Sequence, residues 1–152
     1  MIDFIFYDSQ LLKKSWVWLN DIEIKRLTNT PDFTQDEQKK WFLSLKHKSD
    51  YFIKGVKYNE TIIGVVGLKN ITRISGEYWG YIGEKEYWGK GIGKKMILYI
   101  INIAKEKKLK TVYLKVIPSN KRAINLYEKT GFVLNKEKST LESLYMEYVL
   151  MY

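Results

Sequence analysis

The sequence predicts an α/β (α+β) domain, and three observations carry that expectation. Strand-like and helix-like hydrophobic periods succeed one another in the order strand, two helices, three strands, helix, strand, helix, two strands. A glycine- and lysine-rich run, Tyr87-Trp88-Gly89-Lys90-Gly91-Ile92-Gly93-Lys94-Lys95, joins a strand-like segment (Glu77 to Ile82) to an amphipathic helix (Met96 to Lys107). The 152 residues, 45% of them hydrophobic and 15% aromatic, suffice for one domain over residues 1–152 that buries a real core, and are too apolar for a disordered chain.

Each element has a local reason. Ile2 to Phe6 reads as the first strand, and from Ser9 to Leu19 the residues Leu12, Trp16 and Leu19 recur at helical spacing. Pro31 turns the chain into a second helix. Its start, Thr34-Gln35-Asp36-Glu37, is a capping box, and Trp41, Phe42 and Leu45 give it a buried face. Tyr51 to Tyr58 and Thr61 to Leu68 form a hairpin around Asn59-Glu60, and Gly76 to Ile82 continues the antiparallel meander. Beyond the glycine run come the long helix, a strand from Thr111 to Ile117, and a short helix from Asn120 to Thr130. Ser119 or Asn120 can cap that short helix, and Gly131 is placed for its left-handed C-terminal residue. Two strands, Phe132 to Lys136 and Glu142 to Leu150, close the chain. No repeat or low-complexity tract interrupts it.

Composition excludes several chemistries. There is no cysteine, so disulfides, thiolate metal sites and a cysteine nucleophile are ruled out. The single histidine, His47, stands among lysines just past a predicted helix and reads as a solvated loop residue, so no metal site is expected. The longest apolar run, Met96 to Ala104, is broken by Asn102 and is too short to span a bilayer. The first residues show no basic segment ahead of a hydrophobic one, so a cytoplasmic location without membrane association is the expectation. The formal charge of +9 has two readings: attraction of an anionic ligand, or a lysine-rich surface. Lys105, Lys107, Lys108 and Lys110 need no partner, because they crowd a helix C-terminus and complement its dipole.

The glycine run reads as a phosphate cradle. Glycines admit a ligand close to the backbone, and the start of a helix offers unpaired N–H groups at the positive end of a dipole. The P-loop pattern fails for want of four residues between glycines and a following Ser or Thr. The dinucleotide fingerprint fails because the third glycine comes one residue early. Trp88-Gly89-Lys90-Gly91-Ile92-Gly93 instead resembles the coenzyme A pyrophosphate loop of the GNAT acetyltransferase superfamily, written Arg/Gln-x-x-Gly-x-Gly/Ala, with Trp88 departing from the usual Arg or Gln. Asn120, Ala123, Tyr127, Glu128, Gly131 and Phe132 resemble the second signature of that family at its usual separation from the first. Trp18-Leu19-Asn20-Asp21 and Gly80-Tyr81 extend the resemblance upstream. The subgroup it is most similar to contains ribosomal-protein N-terminal and amino-sugar acetyltransferases.

The resemblance implies a mixed, mostly antiparallel sheet of about seven strands with four helices. A splayed parallel pair of strands would form the cofactor site. It implies acetyl-CoA as cofactor, held by Ile82, Gly83 and Glu84 along the splay. Trp88, Gly89, Lys90, Gly91, Ile92, Gly93 and Lys94 would hold it at the loop, and Asn120, Ala123 and Tyr127 on the short helix. The backbone N–H near Ile82 would polarise the thioester. Tyr127 would protonate the departing thiolate, a task that suits a phenol; its plain alternative is a core aromatic. The carboxylate that some relatives carry on the strand before Asn120 is Lys115 here, so that base does not carry over. Other relatives place a glutamate where this chain has Tyr78, leaving Glu77, one residue away, as the candidate base or an exposed strand residue.

The implied reaction is direct acetyl transfer to a primary amine. An amino sugar, nucleotide-linked or free, is the favoured acceptor, with Trp16, Trp18, Phe33, Trp41 and Trp79 available to stack a ring. The alternative within the family is a protein N-terminus. The alternative of another class is a non-enzymatic module binding nucleic acid through its lysines, which lacks any nucleic-acid-binding signature and leaves the glycine run unexplained. A homodimer is one arrangement this reading allows.

Overall fold

A computed structural model describes residues 1–152. Seven strands form one sheet: β1 (Ile2–Ile5), β2 (Phe52–Tyr58), β3 (Thr61–Lys69), β4 (Ser75–Ile82), β5 (Thr111–Val116), β6 (Val133–Leu134) and β7 (Leu144–Val149). Their spatial order is β1-β2-β3-β4-β5-β7-β6, and every pairing is antiparallel except β4 with β5. This is the mixed sheet with one parallel pair that the sequence resemblance implies.

There are five α-helices rather than four: α1 (Ser9–Leu19), α2 (Ile22–Leu27), α3 (Gln35–Ser44), α4 (Ile92–Glu106) and α5 (Lys121–Thr130). The unexpected α2 has six residues and starts two residues after Asn20 closes α1, with the Asp21 side chain accepting from the Glu23 and Ile24 N–H groups. The capping box at Thr34 and Glu37 is present as predicted. The long helix begins at Ile92, not Met96, because Gly91 in the left-handed region (φ 79°) is already its N-cap.

The helices pack on both faces of the sheet. Ile92, Met96, Ile97, Ile100, Ile101 and Ala104 form the buried stripe of α4, and they pack with Leu68, Tyr78, Val112, Leu114 and Met146 in the main core. Burying each of the larger side chains contributes roughly 1.5–3 kcal/mol, so this stripe anchors the start of α4 firmly against β4. On the opposite face Tyr7, Leu11, Trp18, Ile24 and Val65 form a smaller core with Trp41, Phe42 and Leu45 half-buried against it.

The register of β2 on β3 steps between Val56 and Lys57, so that Val56 faces Gly64 and Lys57 faces Ile62, leaving Ile63 as an extra residue. The bulge breaks the alternation of side chains along β3. No helix is long and apolar enough to cross a membrane.

Candidate active site

The parallel pair β4–β5 stays in register only for Ser75–Thr111, Gly76–Val112 and Glu77–Tyr113. β4 then runs on to Ile82 and β5 to Val116, while the other edge of β4 remains paired with β3 as far as Ile82. The strands therefore diverge. One edge of β4 from Tyr78 onward has no strand partner, and its polar backbone groups call for another one. A cleft of about 890 Å³ opens at this divergence, lined on one side by Tyr78 to Ile82 and on the other by Leu114 to Ile117. Gly93 and Met96 of α4 and Asn120, Ala123 and Tyr127 of α5 close one end. Tyr7, Phe33, Trp41, Tyr51, Trp79 and Tyr81 line the other.

The glycine loop lies where β4 passes into α4. Gly89 (φ 74°) and Gly91 (φ 79°) are both left-handed, and a Cβ on either would meet nothing within 4 Å. Glycine is needed there for backbone conformation, and the space around it is open. The other four α-helices are capped by a side chain, from Asp8, Asp21, Thr34 and Asn120, whereas Gly91 offers none. The first N–H groups of α4 are thus left for an outside acceptor at the positive end of the dipole. Lys90, Lys94 and Lys95 are exposed around them. Ile92 is buried in the main core and offers only its backbone. At Gly93 a Cβ would stand 2.8 Å from Leu126 Cδ2, so the missing side chain lets α4 approach α5.

Trp88, the departure from the usual motif, has a structural task. Its Nε1 donates to the Ile82 carbonyl at 2.8 Å, tying the loop back to the end of β4. Lys85 Nζ and the Arg122 guanidinium lie 5.9 Å and 5.5 Å from its ring centre.

Tyr127 lines the cleft from α5. Gly131 N–H donates to the Tyr127 and Glu128 carbonyls, and Phe132 N–H to the Tyr127 carbonyl at 2.9 Å, which fixes the end of the helix that carries it. Its ring meets Tyr78 edge-on, with centres 6.1 Å apart, and tilts against Phe132. Burial pushes its phenol up to about 12, so the group keeps its proton throughout the neutral range. Asn120 caps α5 by accepting from Ala123 N–H at 3.3 Å and also lines the cleft.

Glu77 is not an exposed strand residue. It is 8% exposed, the one charged residue among the buried ones, and sits at the last paired position of the splay. Asn70 Nδ2 donates to its Oε1 at 3.1 Å, and both residues line the cleft.

Some expected residues lie elsewhere. Gly83 and Glu84 do not line this cleft: both of their N–H groups donate to the Ile63 carbonyl of β3, at 2.7 and 3.2 Å. Gly83 is buried under Trp18, whose ring occupies the space a Cβ would need, and Glu84 accepts from Trp18 Nε1. Trp18, 4% exposed, is therefore core, and Trp16 packs edge-on against Phe33 outside the cleft. His47 is exposed, in a 3₁₀ turn after α3. Tyr78 and Asn70 are cleft residues that motif reasoning passed over. The period-two pattern of β4 could have flagged Tyr78 as a polar-tipped residue on the core face.

Comparisons with known proteins agree with this geometry. The chain is 28% identical over 112 residues to an uncharacterized protein of Methanocaldococcus jannaschii, a match covering 72% of this chain and 23% of that protein. It is 44% identical over 55 residues to a probable spermine N(1)-acetyltransferase of Bacillus subtilis subsp. natto, which is 36% of each. This chain thus spans well under two thirds of both relatives. The acetyltransferase PseH of Campylobacter jejuni is 29% identical over 138 residues, 89% of this chain and 85% of that one. The fold superposes on a domain from M. jannaschii with a TM-score of 0.86 at 22% identity over 99% of both chains. On PseH in complex with acetyl coenzyme A the TM-score is 0.77 at 22% identity, over 99% of this chain and 100% of that one. The pattern of the acetyltransferase (GNAT) family matches residues 15–132. The chain belongs to the acetyltransferase (GNAT) family.

Proposed function

We propose that this chain is an N-acetyltransferase that moves an acetyl group from acetyl-CoA directly to the primary amine of a small acceptor, with an amino sugar as the favoured class. The observation that carries the reading is the pair of groups in the cleft: a Tyr127 phenol kept protonated by burial, and Glu77, a buried carboxylate with a hydrogen bond from Asn70.

The residues present suit the cofactor. The uncapped N–H groups at the start of α4, with Lys90 and Lys94, would hold its phosphates around Gly89, Gly91 and Gly93. The unpaired edge of β4 up to Ile82 would take the peptide-like pantetheine arm. Asn120, whose Oδ1 serves the helix cap, has its amide N–H groups left to donate to the same arm. When bound, acetyl-CoA supplies an activated acetyl thioester. Tyr127 holds a proton at its phenol oxygen for the leaving sulfur, and Glu77 takes a proton from the acceptor's ammonium, directly or through a water.

Two features favour an amino sugar. Phe33, Trp41, Tyr51, Trp79 and Tyr81 offer ring faces to a pyranose, and Lys69 and Lys115 beside the cleft disfavour a polycation. A polyamine is the second reading, favoured by the 44% identity with a probable spermine acetyltransferase over 55 residues. Turnover of acetyl-CoA against amino sugars, polyamines and short peptides with free N-termini, read as thiol release and product mass, decides between them. The amino sugars should give the highest kcat/KM. Preference for polyamines or peptides would overturn the acceptor assignment, and inactivity toward every amine would overturn the reading.

A further inference from the structure

On the α4 face of the cleft a further phenol, Tyr78, stands beside Tyr127. Tyr78, 5% exposed, points from β4 to the α4 face, and its ring lies edge-on to that of Tyr127. Its hydroxyl reaches along the strand to Gly80, where an added Cβ would stand 2.9 Å from it, so the absence of a side chain at Gly80 makes room for this hydroxyl on the diverging edge. The Trp79 indole nitrogen is the only fully buried side-chain polar atom that lacks a hydrogen-bond partner. The hydroxyls of Tyr78 and Tyr127, for which burial is not offset by any hydrogen bond, therefore open onto the cleft. A phenol placed only to pack would save the cost of desolvating its hydroxyl by being phenylalanine.

We infer that Tyr78 is a second hydrogen-bond and proton donor to the departing sulfur, acting beside Tyr127; the inference rests on the acetyl-transfer reading. In the transfer the carbonyl carbon–sulfur bond breaks, a carbon–nitrogen bond forms, and the nitrogen, already deprotonated from ammonium to amine, loses one further proton to a base. Sulfur gains one proton from a phenol, and the resulting phenolate regains its proton from solvent or the base, so charge and atoms balance. With two donors on one sulfur, either phenol can deliver the proton while the other stabilises the developing negative charge. Loss of one hydroxyl leaves the other in place.

The test compares wild type, Tyr78→Phe, Tyr127→Phe and the double variant, all of which keep the rings and their packing. Calorimetric affinities for coenzyme A and for its desulfo analogue, at a pH that favours the thiolate, give a ratio that reports the sulfur contact without any acceptor. Each single substitution should reduce that ratio by about 10-fold, the worth of a hydrogen bond to a charged group, and the double variant should remove the preference for sulfur. In turnover, Tyr127→Phe should fall to the lower end of the general-acid range, about 10²-fold, and the double variant to about 10³–10⁴-fold. If Tyr78→Phe leaves the affinity ratio unchanged in both backgrounds, Tyr78 only packs and the inference is overturned. If the ratio responds but no amine is acetylated, Tyr78 touches the coenzyme sulfur, but the acetyl-transfer reading falls and the proton-donor role falls with it.

Discussion

Replacing Gly91 with alanine separates the cost of backbone strain from the loss of a ligand. Gly91 holds φ 79° and ψ 6°, a left-handed conformation that costs an L-residue about 1–2 kcal/mol. A Cβ there meets nothing within 4 Å, so no repacking cost is added in the free protein. Gly131 provides the control. It has φ 116°, and a Cβ would lie 3.0 Å from Tyr148 Cε2, but it sits at the far end of α5 from Asn120 and does not line the cleft. Both alanine variants should therefore lose stability, Gly91→Ala with a fall in Tm of about 2–8 °C for a domain of this size and Gly131→Ala with a larger one because of the Tyr148 contact. Only Gly91→Ala alters the uncapped start of α4. If that blocks one charge-assisted hydrogen bond, coenzyme A affinity should fall by about 10–100-fold. Melting curves and calorimetric titration of both variants provide the readout. Equal affinity in Gly91→Ala and Gly131→Ala would refute the phosphate cradle, whatever the melting curves show.

Three further outcomes are expected. Lys90→Ala and Lys94→Ala should weaken coenzyme A binding, with an effect that shrinks as salt is raised, whereas Lys107→Ala, at the other end of α4, should not; titrations at two ionic strengths check this. Asn120→Asp keeps the acceptor oxygen that caps α5 but loses the amide donors, so melting should hold while coenzyme A affinity falls. Asn120→Ala should also lose about 1 kcal/mol of stability with the cap. Because burial raises the Tyr127 phenol to about 12, its proton is retained as pH rises through the ordinary phenol range. A kcat–pH profile should accordingly show no falling limb from this group below about 10.

Much of this fold was legible from period and punctuation. The β2–β3 hairpin, the capping box of α3 and the left-handed Gly131 each depend on neighbours within a few residues, which a sequence displays directly. The misses have a common cause in tertiary contacts. A six-residue α2 cannot declare a period, and it persists because Ile24 is buried against α1 and Asp21 receives Lys85 from the far side of the chain. The Ile63 carbonyl on β3 takes the Gly83 and Glu84 N–H groups out of the cleft, a contact that no local pattern announces. The cofactor half of the site is local, a strand, a loop and a helix start, so the glycine motif exposed most of it. The acceptor half is assembled from α1, α2, α3, β3 and β4. Glu77 could be placed in the cleft only once the extent of β4–β5 pairing was seen.

The most direct test of the account is the structure of this protein crystallised with coenzyme A. The account predicts the pyrophosphate against the N–H groups that follow Gly91, the pantetheine arm along the unpaired edge of β4, and the sulfur within hydrogen-bonding reach of the Tyr127 hydroxyl. A coenzyme bound anywhere other than between β4 and β5, or one whose sulfur lies away from Tyr127 with Glu77 on the far side of the sheet from the acceptor space, would contradict it.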